Sequence, residues 1–238
     1  MKRDLLLLSL CMCVLFGVAW LGCGRIAATV SSSVKSDWML ILDAGHGGED
    51  GGASSASGSR ESDINLRIVL KTESLLAFLG VETTLTRAED VSIYSEGAVT
   101  LRQKKVSDLK NRAALVESYS NAMLISVHQN HFTDSRYSGA QVFYNTDDIS
   151  RQWGESAQEL LRQALNSGNE RKAKPIPDGI YLFEHVSCPS ILVECGFLSN
   201  GEEASLLLTD SYQRKISMAL VGAYFHEIQM IPTVWGGE

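Results

Sequence analysis

The sequence predicts an α/β fold: one three-layer domain with a twisted, mostly parallel central sheet and helices on both faces. Three apolar runs carry that expectation: residues 38–43 (WMLILD), 122–127 (AMLISV) and 190–193 (SILV). Each run is continuous rather than alternating, the pattern of a strand buried on both faces of a parallel sheet. Stretches of helical spacing separate the runs, and strands alternating with helices imply helices laid over a sheet. The chain has 238 residues, 45% hydrophobic and 21% charged, which suits one large folded domain and excludes a wholly disordered or multi-span chain.

The elements follow in order. Lys2 and Arg3 precede twenty uncharged residues, 5–24, and Arg25 follows them. Residues 1–24 are therefore expected to be a signal peptide or a membrane anchor. Either reading places the rest of the chain outside the cytoplasmic face, with the two basic residues inside. Residues 25–37 are a polar linker, 38–232 the folded body and 233–238 a tail. Within the body, 38–43 is the first strand. Residues 62–79 read as a helix on Leu66, Val69, Leu70, Leu76 and Leu79, stopped by Gly80. A strand is expected at 81–85, a polar surface loop over 86–107 and a helix over 108–118. Strands follow at 122–127 and 140–144, then an amphipathic helix at 150–165 on Trp153, Ala157, Leu160, Leu161, Ala164 and Leu165. Residues 166–179 are punctuated by Gly168, Pro175, Pro177 and Gly179 and read as loop. A buried strand at 190–193 and a last helix through Tyr212, Ile216, Ala219, Leu220, Ala223 and Tyr224 complete the body.

Charge and cysteine usage narrow the chemistry. The 21 Lys+Arg against 28 Asp+Glu give a net charge of −7, and removal of residues 1–24 leaves −8. An acidic body without a basic cluster lacks the footprint of a nucleic-acid binder. Three of the five cysteines lie in the apolar segment. Cys188 and Cys195 remain, and they read as small buried hydrophobes.

The three buried strands end in chemistry-bearing residues: Asp43-Ala44-Gly45-His46-Gly47-Gly48, Ser126-Val127-His128-Gln129-Asn130 and Val193-Glu194-Cys195-Gly196-Phe197. Sites in open α/β sheets form beyond the carboxyl ends of strands. Two histidines and a glutamate converging there suggest a metal with an acid/base beside it, because catalytic zinc takes three N/O ligands and leaves one position open. His46 and His128 supply two ligands. Glu61, at the start of the first helix, fits as the third, with Glu49, Asp50 and Asp63 as rivals. No H-E-x-x-H is present, so the ligands are dispersed. The glycine-rich turn is not a phosphate loop, since Glu49-Asp50 stands where such a loop needs Lys-Ser/Thr. His131 is expected to line the cleft, while His185 and His226 read as a loop residue and a solvated helix end. Lys104-Lys105 and the basic run at 171–174 read as solvated surface able to steer an anionic substrate.

At these residues the chain resembles a known family. ILDAGHGGEDGGA (41–53), ESDINL (61–66), Thr86-Arg87, LISVHQNHF (124–132), SGAQVFY (138–144) and ILVECGFLSN (191–200) resemble the zinc-dependent N-acetylmuramoyl-L-alanine amidases of the amidase-3 type. The matches run in order across 38–230. The apolar start, DLKNRAALVES (108–118) and RKAKPIPDGIYL (171–182) are most similar to the germination-specific, spore cortex subgroup.

The resemblance implies that 38–232 is an amidase-3 catalytic domain with its zinc site at the carboxyl ends of the strands. His46, Glu61 and His128 would hold Zn2+, Glu194 would be the catalytic acid/base, and Asn130 would orient the site. The bond would be the amide joining N-acetylmuramic acid to L-alanine of the stem peptide in peptidoglycan, cut as a step towards muramic-δ-lactam in spore cortex. The protein would be exported or anchored through 5–24 and extracytoplasmic, in the forespore intermembrane space for this subgroup. Some clostridial relatives use an accessory activating lipoprotein. Cys195 departs from the family pattern, and strand alternation should turn it away from Glu194. Two alternatives stay open: another zinc peptidase or amide hydrolase, and a non-catalytic peptidoglycan-binding module.

Overall fold

The structure, a computed structural model, describes residues 38–230. The apolar segment, the linker and the tail expected above lie outside the described residues. Apolar runs become the centre of the sheet, as their continuity requires. β1 (Met39–Ala44), β3 (Ala122–Asn130) and β6 (Ser190–Phe197) stand side by side, with β2 (Thr83–Leu85) beyond β1. These four strands are parallel. β4 (Gln141–Tyr144) pairs antiparallel with β6, and β5 (Lys174–Pro175) closes that edge parallel to β4. The order is β2-β1-β3-β6-β4-β5, a mixed six-stranded sheet.

Because side chains alternate along a strand, each central strand feeds two cores. On one face Ile41, Leu124 and Leu192 meet Ala113 and Val116 of α2 (Leu101–Glu117) and Leu182 and Phe183 of α4 (Tyr181–Glu184). The opposite face carries Leu40, Leu42, Met123, Ile125 and Val193, all inaccessible to solvent. α1 (Glu61–Phe78), α3 (Asp148–Leu165) and α6 (Asp210–Met230) pack on one another on that side. The expected α/β architecture with helices on both faces is the one observed.

Among the departures from the expectation, three bear on the site or have a clear local cause. α2 begins seven residues early, inside the stretch expected to be loop. Thr100 accepts from Gln103 N while the Gln103 side chain accepts from Thr100 N, a capping box that fixes the helix start. A short helix, α5 (Gly201–Leu207), follows β6, capped by Asn200 on Glu203 N. β3 and β6 also run past their apolar cores, so His128 and Glu194 sit within ladders, opposite one another in register.

The polar end of the sheet is tied by one buried ion pair. Asp43 accepts from Arg112 Nη1 at 2.5 Å, from Ser126 Oγ at 2.6 Å and from Thr86 Oγ1 at 2.7 Å. Burial alone would lift this carboxyl, but the Arg112 charge and the two hydroxyls hold it down at about 2. Arg112 also binds Asp108, one turn earlier on α2, at 2.6 Å. A depressed carboxyl stabilises the fold fully above its unfolded value, near pH 4, and loses that contribution as pH falls through about 2. Arg112→Met should therefore cost about 3–5 kcal/mol, because it strands a buried carboxylate. Urea unfolding at neutral pH measures the loss, and the stability the native protein gives up between about pH 4 and pH 2 should shrink in the variant, because burial then lifts the Asp43 carboxyl instead of leaving it depressed.

Candidate active site

The site is built on the turn after β1. His46 takes φ +63°, a left-handed conformation uncommon for a side-chain-bearing residue, and Gly47 follows at +140°. Two arginines hold this turn by its carbonyls. Arg112 donates to Ala44 O at 2.8 Å and His46 O at 2.7 Å. Arg87, at the end of β2, donates to Ala44 O at 2.9 Å, Gly45 O at 3.2 Å and Ser62 O at 2.8 Å. The stretch after β2 straps the turn from outside: Gly48 N donates to Asp90 at 3.0 Å and Ser92 Oγ to Gly47 O at 2.5 Å.

Three donors converge here. His46 Nε2 lies 3.3 Å from Glu61 Oε1, and His128 Nδ1 lies 3.0 Å from the same oxygen. The imidazole centroids are 5.1 Å apart at 74°. One candidate ligand atom from each of His46, Glu61 and His128 falls within 4.8 Å of the other two. Glu61 arrives from the first turn of α1, its carboxylate steadied by Ala53 N at 2.8 Å and Gln129 N at 3.1 Å. Two glycines leave room for the cluster. A Cβ on Gly45 would stand 2.2 Å from the His128 ring, and one on Gly52 would stand 2.5 Å from Glu61 Oε2. Burial opposes charge on His46, yet hydrogen bonds to Asp50 and Glu61 raise it to about 9. Two imidazoles and a carboxylate, with a second carboxylate behind them, form a donor set that suits a borderline divalent cation.

Glu194 faces this cluster across the β3–β6 ladder. Its Oε2 is shut from solvent and meets no hydrogen-bond partner among the described residues. Burial pushes its carboxyl up to about 7, so the group can hold or release a proton near neutral pH. A cleft of about 340 Å³ opens over both features, lined by His46, His128 and Glu194 with Leu109, Ile180 and Tyr181 among its apolar wall. That volume is in the range of a ligand site.

The structure thus brings together His46, Glu61, His128 and Glu194. Of the rivals for the carboxylate position, Glu49 is exposed and bound to Lys104 and Tyr94, and Asp63 pairs with Arg60 at 2.8 Å. Asp50 meets the other nitrogen of His46. Asn130 sits at the end of β3, where its carbonyl accepts from Leu198 N. Neither Asn130 nor the exposed His131 belongs to the cleft lining. Cys195 is fully buried on the face away from Glu194, and both Cys188 and Cys195 are free thiols. The sequence reading missed Arg112, weighed Asp50 only as a rival for the third ligand, and read Lys105 as solvated surface. For Arg112 the available signal was a charge set among the apolar positions of a helix.

Comparison with known proteins agrees with the geometry. The Amidase_3 profile, described as N-acetylmuramoyl-L-alanine amidase, matches residues 40–224. The germination-specific N-acetylmuramoyl-L-alanine amidase of Bacillus subtilis (strain 168) is 35% identical over 183 residues, 76% of each chain. The N-acetylmuramoyl-L-alanine amidase AmiA of Escherichia coli (strain K12) is 26% identical over 234 residues, 79% of this chain and 76% of that one. Among solved structures, the CwlD amidase from Clostridioides difficile in complex with the GerS lipoprotein matches with a TM-score of 0.77. It shares 40% identity over 81% of this chain and 98% of that one.

A methyl group at Gly45 should drive the His128 ring out of the cluster, because the nearest ring atom would stand 2.2 Å away. Gly45→Ala is expected to stay folded by circular dichroism yet bind a divalent cation at least tenfold more weakly, measured by equilibrium dialysis.

Proposed function

The chain belongs to the Amidase_3 family and is an N-acetylmuramoyl-L-alanine amidase, and from that premise we propose a zinc site, a catalytic residue and a place of action. His46, Glu61 and His128 hold Zn2+, and Glu194 is the acid/base. The observation that carries this reading is the three-donor cluster with the unpartnered Glu194 oxygen facing it. Bound zinc supplies a water acidified from ~15.7 to about 7 and a positive charge for the carbonyl oxygen.

The protein's own groups do the rest. Glu194, poised near neutrality, takes the proton of the attacking water as it adds to the amide carbonyl. The same carboxyl then returns the proton to the departing L-alanine nitrogen. Leu109, Ile180 and Tyr181 give the cleft an apolar wall beside the polar centre. The products are a free stem peptide and bare N-acetylmuramic acid. A carboxypeptidase-type reading is disfavoured by Arg112: it is the arginine lining the cleft, and it is committed to Asp43, Asp108 and two backbone carbonyls.

The likeness to the germination-specific amidase supports action on spore cortex as a step towards muramic-δ-lactam. We assign 1–24 to an export signal or anchor, 25–37 to a linker, 38–232 to the catalytic domain and 233–238 to a tail, with the body extracytoplasmic, in the forespore intermembrane space. The CwlD–GerS complex supports an accessory lipoprotein as partner.

Two measurements test the proposal. Mass spectrometry of purified peptidoglycan incubated with the protein should show stem peptides beginning at L-alanine, released only when zinc is present. A folded, zinc-loaded protein that releases none, both alone and with an accessory lipoprotein partner added, would refute it. Glu194→Gln should retain zinc and lose activity at least a hundredfold, whereas His46→Ala should lose both; an active Glu194→Gln protein would remove that residue from the chemistry.

A further inference from the structure

His46 is gripped on both sides of its ring. Nε2 faces Glu61 at 3.3 Å, within the three-donor cluster. Nδ1, on the opposite side, lies 3.0 Å from Asp50 Oδ2. Asp50 is itself fixed: its Oδ1 accepts from Gly52 N at 3.3 Å and pairs with Lys105 Nζ at 3.0 Å. The Asp50 carboxylate is only 19% exposed, whereas Lys105 reaches it from α2 with 47% of its side chain in solvent. His128 is held differently, its ring lying against the bare backbone of Gly45.

We propose that Asp50 is a positioning residue of the metal site, pinned in turn by Lys105, and that it selects which nitrogen of His46 meets the cation. This inference rests on the zinc reading above. A carboxylate at Nδ1 keeps the proton there and leaves the Nε2 lone pair free for a cation, while fixing the ring plane. His46 needs such a partner more than His128 does. It sits on an irregular turn at positive φ, whereas His128 sits in a β-ladder. Lys105 makes the arrangement reachable from the surface: a residue at the cleft mouth, outside the donor cluster, sets the geometry of a ligand inside it.

The test is zinc affinity, measured on the full-length protein by competition with a chromogenic chelator, together with the histidine nitrogen shifts of the zinc-loaded protein. Asp50→Ala should weaken zinc binding ten- to a hundredfold. Asp50→Asn should lose less, since its amide oxygen still accepts from Nδ1–H, and Lys105→Met should lose several-fold. The native spectrum should show His46 protonated at Nδ1 and metal-bound through Nε2. Native affinity in Asp50→Ala, beside lost affinity in His46→Ala, overturns the proposal alone. Undiminished affinity in His46→Ala overturns the zinc site and the proposal with it. Metal-free melting curves establish that each variant is folded, and Asp50→Asn decides the matter by the same readings if Asp50→Ala is not.

Discussion

The Asp43–Arg112 pair is the constraint on which the polar end of this domain depends. Asp43 lies in the central sheet where water cannot reach it, so its charge needs full compensation. Compensation comes from three different elements: Thr86 after β2, Ser126 on β3 and Arg112 on α2. Once Arg112 is placed, its remaining donors fall on the carbonyls of Ala44 and His46. A turn that would otherwise be irregular is thereby held from below by a side chain that cannot leave. Arg87 repeats the arrangement from the other side, and burial together with the neighbouring Arg112 charge lowers it to about 10. The candidate site is thus a backbone arrangement fixed by two guanidinium groups, with its side chains hung on it.

Much of this was legible in the sequence, because buried parallel strands advertise themselves as continuous apolar runs and the polar residues ending them are conspicuous. His46, His128 and Glu194 stood out for that reason. Glu61 was harder: its place at the start of the first helix favoured it, but Glu49, Asp50 and Asp63 stayed rivals on proximity until the family resemblance pointed to Glu61. The fold gives the physical reason: α1 turns Glu61 inward beside both rings, while Asp50 reaches the far side of His46. The parts that stayed hidden are those decided by long-range pairing. Arg112 and Asp43 are 69 residues apart, and helical periodicity does not say that a charged residue on the buried side will find its counterion in the sheet. The start of α2 was a different kind of miss. Thr100 and Gln103 spell a capping box, but the helix it opens is polar over its first two turns and shows no apolar stripe.

Glu61 and Glu194 are two carboxyls at one site with opposite behaviour. Burial would lift both, yet Glu61 is held far below the usual carboxylate range by His128 and His46, whereas burial, with the Glu61 charge adding to it, carries Glu194 up to about 7. Environment alone divides one permanently charged group from one able to carry a proton. The glycines at 45 and 52 make that division possible, since a side chain at either position would push the imidazoles and the charged carboxylate apart.

The sheet's margins carry a consequence of another kind. Its outermost strands are the shortest: β2 has three residues, and β5 has two, the second of them Pro175. Short edges offer little template for a neighbouring chain, and a proline has no amide hydrogen to lend one. The long apolar strands that form the heart of the domain are, when unpaired, the kind of segment from which aggregates grow. Setting them innermost, behind blunt borders, leaves the folded molecule little invitation to join another copy edge to edge, however crowded its surroundings.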